Sequence, residues 1–438
     1  CNPSRPPDPM HSVVITGIGF TSSIGARREE VLESLRDLRH GFVRRQMAGE
    51  GSGPELVCGA VDGFDVASPE SRDWTFPDLE TLDPGLLRSL PPHGPYALNA
   101  LEEALRQAGL ERDELGDGRT GLFCASAGSP RMLHHRLGRL AGAGWMRGDP
   151  MAVVSTVAGT LNFNLAAHYG ITGASCGFVS ACSSSGHALG YAFDEIALGR
   201  QERMLVVAAD DGDAESILPF TGLRALSTNP DPDTASRPFD RQRDGFVGTG
   251  GGAALVMEST DSAARRGAVP LARMLAWGQA SDGHSIAAPH PEGMGIRTAM
   301  TNCLRAAEVE VPMIDWVNAH ATSTPAGDRA EALALKELGF ADPAGKTRVS
   351  STKGLTGHGL SYAGALEAAI CVLCLGERIV PGNAALTEPD PACDGLRLPT
   401  RTEPADLRLV LNNSSGFGGA NVCQLFSAVD HNTRTTSN

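Results

Sequence analysis

The chain has 438 residues, of which 41% are hydrophobic and 20% charged. This composition is typical of folded globular proteins, and the length predicts two or three domains or one domain built from two similar halves. The net charge of −14 argues against general binding to nucleic acid or to anionic membranes, because an acidic surface repels both. An acidic partner protein could still bind a local basic patch.

The N-terminal residues and the cysteines bear on targeting and compartment. Residues 1–9 are polar and rich in proline, so we expect a leader or cloning remnant rather than a signal peptide. No run approaches the ~18 apolar residues that span a membrane. Ten cysteines are spread along the chain without the density of a disulfide scaffold, which predicts a reducing, cytoplasmic location.

Strands and helices alternate along the chain, which predicts an α/β fold with sheets covered by helices. The apolar and β-branched runs predict strands at 12–17, 120–126, 175–181, 204–209, 253–258, 314–318, 347–351, 407–412 and 421–427, and a further strand that begins with 272–278. Helical spacing predicts helices at 29–38, 96–108, 161–169, 183–198, 295–307, 327–338 and 361–376. Residues 46–90 are rich in Gly, Pro, Ser and charge and are predicted to be an irregular surface region.

Two local patterns have simple structural explanations. Cys371 and Cys374 form a CxxC motif, but they lie in an apolar run with no second CxxC, so a buried helix face is favoured over a zinc or redox site. Four arginines close in sequence could form a basic patch, although a solvated surface is the simpler interpretation. These arginines are Arg131, Arg136, Arg139 and Arg147.

Cys182 is the first candidate catalytic residue, because it lies where a predicted strand passes into a predicted helix. The helix dipole should lower the pKa of its thiol and raise the thiolate fraction. Small residues on both sides would let a substrate approach. For this cysteine taken alone, a buried and inert residue is the alternative.

Two histidines follow strands, at positions where open α/β sheets bind ligands. His320 precedes a polar loop in which Thr322 and Thr324 present hydroxyls two residues apart. His358 lies in a Gly-rich loop five residues after Lys353, whose positive charge would favour the neutral imidazole. The alternative for His320 is a core histidine whose hydrogen bonds are satisfied. The alternative for His358 is an ordinary surface loop.

A glycine-rich stretch at 412–421 surrounds Phe417 and could offer a backbone N–H to an oxyanion. A phosphate-binding loop is the rival interpretation, but no Lys-Ser/Thr follows the glycines. Taken together, a thiol nucleophile, two histidines and this loop suggest acyl transfer through a thioester.

Over about residues 13–426 the chain resembles the β-ketoacyl-acyl carrier protein synthases of the thiolase superfamily, especially the elongating type. The likeness is carried by VVITGIGF at 13–20, RALST at 224–228 with SRPFDRQRDGFV at 236–247, VNAHATSTP at 317–325 with Asp328 and Glu331, and STKGLTGH at 351–358. It implies a five-layered αβαβα fold with two pseudo-equivalent halves. We expect these at 10–265, with the nucleophile, and 266–430, with both histidines, before a tail at 431–438.

The resemblance also implies residue roles. Cys182 would accept the acyl group, with His320 and His358 completing a Cys-His-His triad. The backbone N–H groups of Cys182 and Phe417 would form the oxyanion hole, and Phe417 would gate the acyl pocket. The other implied roles are pantetheine contacts by Thr322 and Thr324, pocket lining by Phe220, carrier-protein docking by Arg224, and support of the catalytic set by Lys353 and Glu367.

The implied reaction is a decarboxylative Claisen condensation with malonyl-acyl carrier protein, which extends a fatty acid, polyene or polyketide chain by two carbons. The carrier protein supplies phosphopantetheine, so no metal or other cofactor is expected. The enzyme would be a homodimer, or the active subunit of a heterodimer with a chain-length-factor-like partner. A thiolase would need a second catalytic cysteine, and the setting of Cys423 does not fit one. The paired histidines disfavour a cysteine hydrolase.

Three departures from the family pattern bear on specificity. Ala321 replaces the usual glycine after His320 and could strain the backbone. Ser415 replaces a phenylalanine, which removes a large apolar group from the substrate-binding loop. Ser183–Ser185 and His187 make the segment after the nucleophile polar. We therefore hypothesise an atypical acyl chain, either unsaturated or aromatic.

Overall fold

The computed structural model describes residues 10–47, 55–77, 82–144, 148–342 and 345–429. Within these ranges the strands are β1 (Val13–Thr21), β2 (Phe42–Gln46), β3 (Glu55–Gly59), β4 (Thr120–Ala125), β5 (Ser175–Phe178), β6 (Arg203–Asp210), β7 (Gly248–Thr249), β8 (Gly251–Ser259), β9 (Ala272–Ser281), β10 (Trp316–Asn318), β11 (Arg348–Ser350), β12 (Ile379–Val380), β13 (Glu403–Pro404), β14 (Leu409–Gly416) and β15 (Ala420–Ser427). The helices are α1 (Arg28–Asp37), α2 (Pro84–Ser89), α3 (Gly94–Ala108), α4 (Pro130–Ala143), α5 (Thr160–Tyr169), α6 (Ser184–Ala197), α7 (Ala214–Ile217), α8 (Thr260–Arg265), α9 (Met294–Ala306), α10 (Pro325–Glu337), α11 (Lys353–Thr356) and α12 (Ala363–Glu377). The predicted leader and tail, and Arg147, lie outside the described residues.

One mixed sheet in the described residues runs in the order β11-β10-β14-β15-β9-β1-β8-β6-β4-β5. Outward from the β1–β9 junction, the two sides are equivalent: β1-β8-β6-β4-β5 matches β9-β15-β14-β10-β11. Strand directions match as well, because on each side the first two pairs are antiparallel and the last two parallel. This topology agrees with the two pseudo-equivalent halves that we expected. The predicted division at 265/266 falls between β8 and β9.

Helices separate and cover the two half-sheets. Helices α6 and α12 pack together at the centre, where their apolar side chains share a core with β1, β6 and β8. Helices α3 and α5 cover the outer face of the first half-sheet, and α9 and α10 cover that of the second. Burial of apolar side chains between these layers drives the arrangement. The order is helix, sheet, helix, sheet, helix, which is the predicted five-layered fold.

Helix α12 corrects the expectation that no segment is long and apolar enough to cross a membrane. The 18 residues Leu360–Glu377 meet that description, but 89% of this stretch is buried inside the protein. A helix that is apolar on every side suits a central layer, because it contacts protein all around. Cys371 and Cys374 are buried on this helix, as predicted.

The region 46–90 is more ordered than predicted, since it contains β3 and α2. Trp74 and Leu90 are buried in the core of the first half, together with residues of α3, β4 and β6. The contacts that bury them come from distant parts of the chain. Local composition therefore could not reveal them.

Candidate active site

Cys182 lies in the turn that joins β5 to α6, as predicted. Ala181 before it adopts φ 52°, a left-handed conformation that is costly for a residue with a Cβ atom. The backbone N–H of Ser183 closes the turn by donating to the carbonyl of Ser180 at 3.3 Å. The turn presents a buried thiol at the N-terminus of α6.

His358 reaches this thiol from the other half of the molecule. Its loop turns at Gly357, which has φ 70°, and its backbone N–H donates to the carbonyl of Val247 at 2.7 Å. The ring of Phe246 packs edge-on against the imidazole, with centroids 5.2 Å apart. Nε2 of His358 lies 3.0 Å from Sγ of Cys182, within reach for proton transfer.

His320 is held by Glu331, a buried carboxylate on α10. The backbone N–H groups of His320 and Ala321 donate to Glu331 at 2.9 and 2.7 Å. The side-chain amide of Asn413 donates to the same carboxylate at 2.7 Å. The imidazole rings of His320 and His358 lie edge-to-face with centroids 5.3 Å apart. Both histidines therefore converge beside the thiol.

A buried ion pair between Lys353 and Glu367 accompanies the two histidines. Burial lowers the pKa of His320 and of His358 well below 6.5, and the Lys353 ammonium lowers both further. Burial raises the pKa of Glu367 to about 7, against the opposing effect of Lys353. Both imidazoles are therefore neutral at pH 7, which the position of Lys353 in the sequence predicts for His358.

The predicted lowering of the Cys182 pKa is wrong. Burial raises the pKa of the thiol to about 12, although the Lys353 charge acts in the opposite direction. The loss of hydration destabilises the buried thiolate more than the nearby positive charge stabilises it. The resting group is a thiol that needs a base, and His358 is in place to act as one.

The glycine-rich stretch packs directly against the nucleophile. A Cβ atom at Gly416 would lie 3.1 Å from the backbone nitrogen of Cys182 and 2.8 Å from the carbonyl oxygen of Ser180, so only glycine fits without displacement. The backbone N–H groups of Phe417 and Cys182 act to lower the pKa of the Cys182 thiol, against the larger effect of burial. The family resemblance assigns the same two N–H groups to an oxyanion hole.

A cavity of about 500 Å³ opens at these side chains. Nine residues singled out from the sequence line it: Cys182, Phe220, Arg224, His320, Thr322, Thr324, His358, Ser415 and Phe417. The hydroxyls of Thr322 and Thr324 lie 3.1 Å apart, and the rings of Phe220 and Phe417 lie 5.5 Å apart. Lys353 and Glu367 do not line the cavity.

The three departures have different structural consequences. Ala321 has no positive φ, so the expected strain is absent, and Ser323 is instead the left-handed residue of that loop. Ser415 lines the cavity, and its Oγ has no hydrogen-bond partner among the described residues. The polar residues after Cys182 do not line it, because Ser184 and Ser185 bond to backbone N–H groups and His187 bonds to the hydroxyl of Ser180.

Sequence reasoning missed Asp282 and Asn421, which line the cavity and hydrogen-bond to each other at 2.9 Å. The available signal was the position of Asp282, a lone acid directly after the strand predicted to begin at 272. Of the four arginines considered for a basic patch, the three that the structure describes each pair with a carboxylate. The pairs are Arg131–Asp213, Arg136–Asp149 and Arg139–Glu70.

Comparison with known proteins identifies the family and supports the fold. Residues 10–263 match the beta-ketoacyl synthase N-terminal domain, and residues 271–387 match the C-terminal domain. The 3-oxoacyl-[acyl-carrier-protein] synthase 1 of Haemophilus influenzae is 36% identical over 427 residues, which cover 95% of this chain and 99% of the relative.

Two solved structures share the fold. The ishigamide ketosynthase/chain length factor is 29% identical with a TM-score of 0.83, over 96% of this chain and 100% of that chain. A type II polyketide ketosynthase, bound to the hexaketide and in complex with its acyl-carrier protein, is 25% identical with a TM-score of 0.82 over the same shares. The thiolase-like fold is thereby confirmed, and the chain belongs to the beta-ketoacyl synthase family.

Proposed function

We propose that this chain is a β-ketoacyl-acyl carrier protein synthase that joins an acyl group on Cys182 to a decarboxylating malonyl thioester. The 3.0 Å contact between Cys182 and His358 carries the proposal, because it pairs a thiol with a neutral base inside one cavity. His320 supplies a second neutral imidazole at the same point. A single proton acceptor would suffice for simple acylation, whereas condensation also needs a group to stabilise an enolate.

In the first step, the Cys182 thiol gives its proton to His358 as the sulfur attacks the acyl thioester. The two backbone N–H groups at Cys182 and Phe417 hold the oxyanion, each worth roughly 3 kcal/mol. The departing pantetheine sulfur takes up that proton from His358, which returns to its neutral form. The product is an acyl thioester on Cys182.

In the second step, a malonyl thioester loses carbon dioxide, and the neutral N–H groups of His320 and His358 stabilise the resulting enolate. The enolate carbon attacks the acyl carbonyl, a carbon–carbon bond forms, and the Cys182 sulfur leaves and regains a proton. Neutral histidines suit this role because the N–H of a neutral imidazole donates a hydrogen bond but is too weakly acidic to protonate the enolate. Burial keeps both histidines neutral, and the charge of Lys353 acts in the same direction.

The substrates would arrive on an acyl carrier protein whose phosphopantetheine enters the cavity past Thr322 and Thr324, with Arg224 at the docking surface. The carrier complex of the similar ketosynthase supports this partner. The active unit would be a homodimer, or a heterodimer of the kind that the ishigamide ketosynthase/chain length factor suggests. No metal or redox cofactor is needed in this reaction. The free cysteines of the described residues fit a reducing, cytoplasmic setting.

The thiolase alternative gains no support from Cys423. This cysteine is buried on β15 in the outer core of the second half and does not line the cavity. Burial also raises the pKa of its thiol well above the usual value. A second nucleophile at that position could not reach an acyl group on Cys182.

The test is product formation by the purified chain, alone and with candidate partner subunits. The donors are acyl-carrier proteins with saturated, polyenoyl or aromatic acyl groups, each supplied together with malonyl-carrier protein. The masses of the carrier-bound products are measured by mass spectrometry. We expect a β-ketoacyl product two carbons longer than the donor. Turnover of acyl-coenzyme A without any malonyl donor would instead favour a thiolase. Hydrolysis without extension would favour a hydrolase.

A further inference from the structure

Asp210 ends β6 close to the catalytic residues, although it does not line the cavity. Its side chain is buried, with only 2% of its surface exposed. We propose that Asp210 is a positioning residue that ties the loop carrying His358 to the ends of the first half-sheet. This inference rests on the proposed function, since it assigns Asp210 a part in the same reaction.

The carboxylate of Asp210 bridges two backbone segments. One oxygen accepts the backbone N–H of Ser361 at 2.7 Å, and the other accepts the N–H of Ala127 at 2.9 Å. Ser361 follows His358 by three residues, and Ala127 follows the end of β4. A single side chain therefore joins the second-half loop with the base to the first-half strands that lead to the nucleophile.

The loop needs such a restraint because its backbone is unfavourable at Leu360, which lies two residues after His358 and adopts φ 50° despite its branched side chain. Gly357, before His358, has φ 70°, which glycine adopts without strain. The N–H that Asp210 binds belongs to the residue directly after Leu360. Tyr362 anchors the C-terminal end of this loop, because its hydroxyl donates to the carbonyl of Gly250 at 2.9 Å. The conformation that directs His358 at the thiol is thus held by tertiary contacts.

The charge of Asp210 also bears on the nucleophile. Four titratable groups face it from the packed elements: Asp211 on its own strand end, Cys182, Tyr362, and His93 through the hydroxyl of Ser126. Among the described residues, no Lys, Arg or His forms an ion pair with it. Burial raises its pKa to about 7, and its negative charge in turn raises the pKa of Cys182. Asp210 thus opposes thiolate formation until His358 removes the proton.

The test compares Asp210→Asn with Asp315→Asn. Asp315 is a control for burial and for backbone hydrogen bonds, because it is also buried and accepts two backbone N–H groups, those of Arg408 and Leu409 at 2.8 and 3.0 Å. Unlike Asp210, Asp315 also pairs with Lys346, at 2.5 Å. It lies at the opposite end of β10 from His320. Four quantities are measured: the rate of Cys182 alkylation by iodoacetamide between about pH 6 and pH 10, the kcat and the KM for condensation, and the Tm.

We expect the alkylation profile of Asp210→Asn to move to lower pH, since a negative charge beside the sulfur is lost. We also expect kcat to fall about tenfold or more while KM changes less than about threefold, because the base is misplaced and substrate binding is not. Asp315→Asn should lower only Tm. An unshifted alkylation profile in Asp210→Asn, with kcat and KM changed no more than in the control, would overturn the proposal.

If Asp210→Asn does not fold, Asp210→Ser replaces it in the test. The serine hydroxyl carries no charge and can still accept a hydrogen bond from one backbone N–H. The same shift of the alkylation profile is expected from it, and its absence counts against the proposal equally. Alkylation needs no acyl substrate, so this result does not depend on the reaction assigned to the site. Failure of the proposed function would show separately, as a wild-type protein that alkylates normally but forms no extended product.

Discussion

The Sγ atom of Cys182 lies 3.0 Å from Nε2 of His358, although the two residues are 176 positions apart in the chain. The nucleophile belongs to the first pseudo-equivalent half and the base to the second. Central helices α6 and α12, which follow these two residues, pack against each other between the half-sheets. The reacting pair is therefore created by the packing of one half on the other.

The two histidine replacements should differ in the first step, acylation of Cys182, because His358 takes part in both steps and His320 only in condensation. His358→Ala should slow acylation of Cys182 by about 100-fold or more, because the thiol loses its base. His320→Ala should leave acylation within about threefold of wild type and slow condensation by about 100-fold, because only enolate stabilisation is lost. Single-turnover mass analysis separates the steps, and His134→Ala, on an exposed side chain, is the control. Equal loss of both steps in both variants would contradict these roles.

The neutral histidines predict how stability depends on pH. Both have a pKa well below 6.5 when folded, so below pH 6.5 the unfolded chain binds protons that the folded protein does not. Each should remove about 1.4 kcal/mol from the free energy of unfolding per pH unit below 6.5, and nothing above it. Urea unfolding at pH 7.5 and 5.5 measures the loss.

The control for this effect is the double variant His320→Gln/His358→Gln, which has no imidazole at either position. Other groups, such as the buried acids, change both proteins alike. Below pH 6.5, the free energy of unfolding should therefore fall more steeply in the wild type than in the variant. Above pH 6.5, the two proteins should show the same pH dependence. The same acid-side loss in both proteins would show that the two histidines are not the cause.

The ion pair of Lys353 and Glu367 predicts an asymmetric effect of mutation. Lys353→Met should cost about 3–5 kcal/mol of stability, because it leaves Glu367 buried without its partner. Lys353→Met/Glu367→Leu should recover most of that loss, yet its condensation rate should begin to fall at a higher pH than in wild type, because Lys353 no longer adds to the effect of burial that lowers the pKa of the histidines. Urea unfolding and the pH dependence of kcat are the measurements. An unchanged pH dependence in the double variant would assign Lys353 a structural role only.

Ser415 predicts a change in acyl preference. Ser415→Phe places an aromatic ring in the cavity of about 500 Å³, so bulky acyl groups should lose more activity than short ones. We expect kcat/KM for long polyenoyl or aromatic donors to fall about tenfold relative to a short saturated donor. Ser415→Ala, which removes only the hydroxyl, is the matched control. A uniform loss across all donors would indicate damage to the loop rather than a change in specificity.

Much of the site could be predicted from local sequence, and the position of Cys182 is the clearest example. An apolar strand followed by small residues and a helix is a local pattern, so the strand-to-helix turn was predicted with helix bounds of 183–198 against the observed Ser184–Ala197. The direction of its pKa could not be predicted in this way. Burial by the other half of the molecule outweighs the local helix dipole, and that burial depends on contacts far along the chain.

Asp210 and Ala321 are two further residues whose structural roles could not be predicted from local sequence. Nothing local marks Asp210, because its partners at 127 and 361 come from separate elements. The backbone strain expected at Ala321 is absent, because the residue of this loop with a left-handed conformation is Ser323, two positions later. A motif identifies which residues meet at a site, whereas backbone angles and distant carboxylates are determined by how the elements pack.

The most direct test of the central claim is intact-mass analysis of wild type and Cys182→Ala after incubation with acyl-carrier protein, followed by malonyl-carrier protein. The account predicts that wild type gains the mass of one acyl group and loses it when the malonyl donor is added, as an extended β-ketoacyl-carrier protein forms. Cys182→Ala should gain no mass. An acyl adduct that persists in Cys182→Ala, or an adduct that malonyl-carrier protein never discharges, would contradict the assignment.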